Sequence, residues 1–379
     1  MEIKTYYKCL GCLFCLILFT SFGLNTLSPD QTFSESENRS LTQKPVFSLQ
    51  RLLGGGYTTK YEKYVNDQFY RRQTWVELKT GVDLLFQKRE NNHVYVAADG
   101  YFIEDFIPGK EQNQMANLQA INQFVARHPM LNYSFLLVPT AISVLGDKLP
   151  YEAPVINQLD YIEAFADQLD EQILLVNPFS ALTTHLDEAL FYKTDHHWTT
   201  RGAYYAYLAW ADQVQLDGEE NEFQFETISS AFNGTLSSKG GYTPQVLDQI
   251  EIYVPIEPRT QMVVHYVEEQ KRVTTLYESE ALAQKDKYAV FLGGNHALVD
   301  IQTTAATQRN LLLIKDSYAN AFVPFLVSSY DKIIMVDPRY YFDDLEELVE
   351  REEITDVLFL YNASSFFSDN SLNLVLDNE

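Results

Sequence analysis

A chain of 379 residues, 46% hydrophobic and 14% aromatic, has ample apolar matter for a large core and is no disordered chain. Its formal net charge of −24 argues against nucleic acid as a partner, because phosphates call for clustered Lys and Arg. The three cysteines, Cys9, Cys12 and Cys15, all lie in the first fifteen residues, so the folded part has no disulfide framework and no thiol chemistry.

Lys4 and Lys8 flank the start of an apolar run over 9–24, the pattern of an export signal. No small-x-small cleavage site follows it. Residues 1–27 therefore read as a signal sequence or N-terminal membrane anchor, with the bulk of the chain outside the cytoplasm by the positive-inside bias. Residues 28–45, rich in Ser, Thr, Asn, Gln and acids, read as a solvated linker. The folded domain is expected from Val46 to residue 379. Helical spacing over 61–86 shifts stripe between Val76 and Leu78, which predicts a break. Strands over 93–97 and 101–103 flank Asp99-Gly100 as a hairpin. A helix over 111–127, a strand over 133–138, a helix over 155–169 and a strand over 173–176 follow.

Next comes Asp195-His196-His197-Trp198, then a helix from about 200 to 214 with Thr199 as its cap. Residues 217–287 change character: a Gly/Ser-rich segment over 233–241, then β-type runs at 250–254 and 262–267. They are expected to form a β-rich insertion above the site. Strands then return at 288–292, 311–314, 332–336 and 356–360, with helices over about 318–327 and 343–351. Helices alternating with short apolar strands predict an α/β fold, a parallel sheet covered by helices.

Two stretches carry the chemistry. In an extended segment, side chains two apart share a face, so Asp195 and His197 point together and His196 points away. The carboxylate can then take the Nδ1 proton of His197 and leave Nε2 as a base. Read alone, the stretch also fits a structural histidine pair. Metal ligation is a poorer fit, since opposed faces suit one ion badly. The second stretch is Lys315-Asp316-Ser317-Tyr318, at a strand's carboxyl end, where open α/β sheets bind ligands. Ser317 there is either a nucleophile beside helix N–H groups or a plain helix cap. Gly294 and Asn295, after the strand expected at 288–292, are candidate oxyanion donors. Tyr318, Arg339 and Tyr340 are candidates for meeting the oxyanion or substrate.

Asp195-His196-His197-Trp198 resembles the signature of the DHHW protein family. Both stretches are similar to motifs of the SGNH-hydrolase-like proteins of bacterial alginate O-acetylation. The resemblance spans about 40–360 and takes in Asp67-Gln68-Phe69, Pro139-Thr140 and Phe232-Asn233-Gly234-Thr235-Leu236. It implies Ser317 as nucleophile, His197 as base and Asp195 as orienting acid. This order is the reverse of ordinary SGNH esterases, in which serine comes first. Lys315 stands where the esterases' Gly-Asp-Ser pattern leads one to look for a glycine. The implied activity is that of an extracytoplasmic O-acyltransferase or esterase on a cell-surface polysaccharide, with no cofactor and no metal. An acyl donor and a membrane acyl-transfer partner would supply it. The alternative is a non-catalytic polysaccharide-binding or assembly protein on the same fold.

Overall fold

In the computed structural model, which describes residues 3–34, 39–216, 223–256 and 260–377, the apolar N-terminal run forms helix α1 (Ile3–Leu27). Its segment Thr5–Leu27 is long and apolar enough to cross a membrane and is not buried against protein. Contacts group residues 1–88 and 241–243 into one unit and the remainder into a second.

The first unit continues with a one-turn helix at Leu49–Leu53, α2 (Gly56–Asp67) and α3 (Arg72–Leu85). Between Val76 and Leu78, where the stripe shift predicts a break, α3 runs on unbroken; the chain breaks instead at 68–71, where Arg71 takes a left-handed φ of 52°. Polar groups at this break fasten the neighbouring segments. Tyr70 N–H donates to Asn25 Oδ1 near the end of α1 (2.6 Å), and Gln68 Nε2 donates to the carbonyls of Gln31 (2.8 Å) and Thr42 (3.1 Å). The Thr42 N–H in turn reaches Asp67 Oδ2 (2.8 Å). The expected linker over 28–45 is thus tied to the helices, and the chain divides after Lys88 and not at Val46. Of that linker, residues 35–38 lie outside the described residues.

The second unit opens with the predicted hairpin, β1 (Val94–Val96) and β2 (Phe102–Glu104), turned by Asp99 and Gly100 at positive φ. There follow α4 (Glu111–Arg127), β3 (Asn132–Val138), α5 (Gln158–Ala166), β4 (Ile173–Val176) and α6 (Thr200–Gln213). Strands β5 (Phe223–Phe232) and β6 (Asp248–Pro255) pair with each other. Then come β7 (Met262–Tyr266), β8 (Lys271–Val273), β9 (Leu298–Thr303), β10 (Asn310–Lys315), β11 (Lys332–Val336), α7 (Leu345–Arg351), β12 (Asp356–Asn362) and α8 (Ala363–Ser368).

The main sheet has eight strands in the order β8-β7-β9-β11-β10-β12-β3-β4. From β11 to β4 every pairing is parallel. These are the continuous apolar runs: β12 is buried at every position and β10 from Leu311 to Lys315, as strands covered on both faces must be. The β11/β9, β9/β7 and β7/β8 pairings are antiparallel, which makes the sheet mixed and not wholly parallel.

Residues 217–287 are not one β-rich insertion, because β7 and β8 extend the main sheet while, among the described residues, β5 and β6 form a separate pair. Within that range, 217–222 and 257–259 lie outside the described residues. The strand expected at 288–292 is a 3-10 turn, Lys287–Val290. Its apolar side chains, Tyr288, Val290, Phe291 and Leu292, are buried by packing and not by sheet pairing. The strand at this place in the sheet is β9, whose burial alternates along its length.

Strand β10 lies between β11 and β12, so the chain leaves it first to one side and later to the other. Such a divergence opens a crevice at the carboxyl ends. Ser317, Asp337 and Asn362 follow or end these three strands. Antiparallel β9 begins at the same edge, pairing Leu298 with Val336, and so carries Gly294 and Asn295 there.

Candidate active site

The turn after β10 is held by its own acid. Asp316 accepts hydrogen bonds from Tyr318 N–H (2.9 Å), Asn362 N–H (2.9 Å) and the Asn362 side-chain amide (2.6 Å), which pins it to the end of β12. Burial raises the Asp316 carboxyl to about 6, against the lowering pull of these donors and of Arg339. Ser317 is nearly buried, and its carbonyl accepts from Tyr288 Oη (3.2 Å).

The histidine stretch is a tight loop closed on itself. Phe191 bridges Trp198, Tyr192 N–H donates to the His197 carbonyl (3.2 Å), and Thr199 N–H donates to the Leu190 carbonyl (2.9 Å). Thr199 caps α6, its Oγ1 accepting from Gly202 N–H (3.2 Å). Asp248 on β6 supports the loop from below, accepting from Lys193 N–H (2.8 Å), Thr194 N–H (2.8 Å) and Thr194 Oγ1 (2.6 Å). Strands β5 and β6 are therefore a brace for this loop as well as a neighbouring β-element.

The two loops meet across 120 positions. His197 Nδ1 lies 2.5 Å from Asp195 Oδ1, and His197 Nε2 lies 2.8 Å from Ser317 Oγ. Asp195 also accepts at Oδ2 from Thr235 N–H (2.8 Å) and Thr235 Oγ1 (2.9 Å). Gly234 makes that approach possible: a Cβ there would fall 2.3 Å from Asp195 Cβ. The His197 ring stacks on Tyr288 with centroids 3.7 Å apart and planes at 10°. A reciprocal clasp joins the loops: Trp198 Nε1 donates to the Tyr318 carbonyl (3.1 Å), and Tyr318 Oη donates to the His196 carbonyl (2.7 Å).

Burial pulls the Asp195 carboxyl upward, but the two imidazoles and the bonds from His197 and Thr235 hold it well below the usual carboxylate range. Burial, the neighbouring His196 and, more weakly, Arg339 bring His197 down to about 4 from its ordinary 6.5, against the raising effect of Asp195. The ring is therefore neutral at pH 7 and gains its proton only on strong acidification. In an NMR titration, the His197 ring signals are expected to move with a midpoint near 4. A midpoint at the ordinary 6.5 would mean a solvated ring and contradict the packing.

The remaining candidates are placed unequally. His196 does not point away: its ring lies 3.9 Å from that of His197, and its Nδ1 is 2.9 Å from Thr235 Oγ1. The loop is no extended strand, so period-two alternation fails. Asp195, His196 and His197 do cluster as a metal set would, but the nitrogens named above are engaged by Asp195, Ser317 and Thr235.

Tyr318 is turned inward with both donors spent, N–H on Asp316 and Oη on His196, so it braces the loops and does not face a ligand. The Gly294 N–H is likewise spent, on the Phe291 carbonyl (3.2 Å). That removes both from the oxyanion donors. Asn295 is exposed and joined to the serine turn: its Oδ1 accepts from Lys315 Nζ and Asn320 Nδ2, each at 3.1 Å, leaving its amide as a donor. Lys315 is buried, its ammonium also bonded to Asn320 Oδ1 (3.0 Å) and Asp337 Oδ2 (3.2 Å). Arg339 is held bidentate by Asp337, at 2.8 and 2.6 Å, with its guanidinium 5.4 Å from the ring centroid of half-exposed Tyr340. Sequence reasoning gave no role to Tyr288, Asn362 or Thr235. Only the Gly234-Thr235 pair had a signal, inside a motif noted for resemblance alone.

The model of the DHHW protein family matches residues 92–336. Among solved structures, a DHHW family protein from Eubacterium siraeum is similar at 25% identity and TM-score 0.65, covering 76% of this chain and 96% of that one. Bacillus cereus PatB1 with a sulfonyl adduct is similar at 19% identity and TM-score 0.61, covering 74% and 99%. The O-acetyltransferase domain of Pseudomonas putida AlgJ stands at 14% and 0.48, covering 76% and 99%. A search of curated proteins finds no match.

Proposed function

This chain belongs to the DHHW protein family, and from that premise we propose that it is an extracytoplasmic serine O-acyltransferase or esterase acting on a cell-surface polysaccharide. The observation that carries the reading is the row Asp195–His197–Ser317, with Nε2 at 2.8 Å from Oγ. Ser317 Oγ attacks the carbonyl carbon of an acyl donor while His197 Nε2 takes its proton. The carbonyl π electrons move to oxygen, and the amide of Asn295 and the guanidinium of Arg339 are the groups available to meet that charge. As the oxygen re-forms its double bond, the donor's alcohol leaves with the proton from His197. A sugar hydroxyl or water, deprotonated by the same ring, then repeats the exchange and frees Ser317. Asp195, held anionic, stabilises the imidazolium formed in each half.

Helix α1 supports an anchored or exported chain, with the second unit on the side where surface glycans are built. The carbohydrate reading rests on Tyr340, half-exposed beside Arg339, an arrangement suited to a sugar ring and its hydroxyls.

A sulfonyl fluoride is the fitting probe, since the fold-neighbour PatB1 is known with a sulfonyl adduct. Phenylmethylsulfonyl fluoride added to the full chain is expected to leave one adduct, which peptide mass spectrometry maps to Ser317. No adduct at Ser317, together with measurable binding of an unmodified glycan, would replace the enzyme reading by a binding one.

A further inference from the structure

The first unit carries a feature that acyl transfer does not use. Trp75, Leu78, Val82 and Leu85 of α3, with Phe86 just beyond it, recur at helical spacing within a stripe about 100° wide. All five are exposed, Leu85 and Phe86 by more than four-fifths. The opposite face carries the buried Thr80, so the helix is packed on one side and bare and apolar on the other. A soluble surface rarely leaves such a stripe uncovered.

Two independent observations indicate what covers it. The first is position. Tyr70 N–H is bonded to Asn25 Oδ1 on the last turns of α1, so the start of α3 is fastened to the end of the one helix, among the described residues, that can cross a membrane. The second is charge. Residues 44–88 hold eight Lys and Arg against four Asp and Glu, in a chain that holds 28 against 52 overall. Arg71, Arg72 and Lys79 lie at the start and along one flank of the stripe. A local basic excess around an apolar stripe with a tryptophan is the pattern of a helix lying in a lipid interface.

We propose that α3 lies in the headgroup region of an anionic bilayer where α1 leaves it, with Trp75, Leu78, Val82, Leu85 and Phe86 against the acyl chains. The first unit is then a membrane-surface foot as well as a tether.

The test uses the full chain reconstituted into vesicles of phosphatidylcholine and phosphatidylglycerol, with and without bromine on the acyl chains. Of the three tryptophans, Trp198 and Trp210 are buried in the second unit, so lipid-borne bromine reports on Trp75. The expected result is loss of the Trp75 share of the emission in brominated vesicles and no such loss in Trp75→Phe, a variant that keeps the helix. Leu78→Glu with Val82→Glu is expected to abolish the quenching, and omission of phosphatidylglycerol to weaken it. Unquenched Trp75, or quenching indifferent to both changes, overturns the proposal. So does a Val82→Cys variant whose introduced thiol cross-links to its counterpart in a second copy, which would show that a partner chain covers the face.

Discussion

Ser317→Ala is expected to lower turnover of p-nitrophenyl acetate on the order of 10⁴-fold or more, and His197→Ala by a comparable factor. The two groups act as one device: the hydroxyl is a weak nucleophile unless the imidazole takes its proton, and the imidazole has no other work in the first step. The double variant should therefore be no slower than either single one. Asp195→Asn should also cost several powers of ten, because an amide can neither hold the Nδ1 proton in place nor stabilise the imidazolium. Steady-state rates of the four variants, with thermal unfolding curves alongside, decide the matter. Unchanged turnover in Ser317→Ala, or losses that simply multiply in the double variant, would remove the triad.

Gly234→Ala should damage both stability and activity, although residue 234 is neither acid, base nor nucleophile. Its new methyl would stand 2.3 Å from Asp195 Cβ and 2.6 Å from Asp195 Oδ2, distances that no packing tolerates. Either the loop carrying Asp195 or the segment carrying Thr235 must retreat. The first displaces His197; the second strips Asp195 of the two Thr235 bonds. The Gly234 N–H bond to Thr194 Oγ1 (2.8 Å) is strained in both cases. Overpacking of this kind costs about 1–3 kcal/mol, readable as a lower melting temperature. Thr235→Val is the control: it keeps the shape and the backbone donor and removes only the hydroxyl, so its loss in turnover should be smaller. Wild-type melting and turnover in Gly234→Ala would show that the contact yields at no cost.

The placement of the candidate residues follows from how the sheet is assembled. Ser317 comes directly after β10, and its turn is pinned by Asp316 to Asn362 at the end of β12. Asp195 and His197 come from a loop with no strand at all, held by Asp248 of β6 and by the Trp198–Tyr318 clasp. The serine is thus fixed by the parallel core, while its base is fixed by a separate β-arm.

Local pattern is enough to locate α1, the Asp99-Gly100 hairpin, α4 and the buried strands from β10 onward, because each depends on residues close in the chain. The Thr199 cap and the pairing of Asp195 with His197 were legible for the same reason. Strand direction was not: burial reads the same in a parallel and an antiparallel neighbour, so the reversal at β9, β7 and β8 is set by which backbone each one bonds. The orientation of His196 does not follow from a strand's alternation, because the loop takes its shape from Phe191, Trp198 and Asp248. Whether His197 reaches Ser317, and whether Tyr318 and Gly294 keep a free donor, are questions of hydrogen bonding and packing between distant segments. Those contacts exist only once the chain has closed on itself.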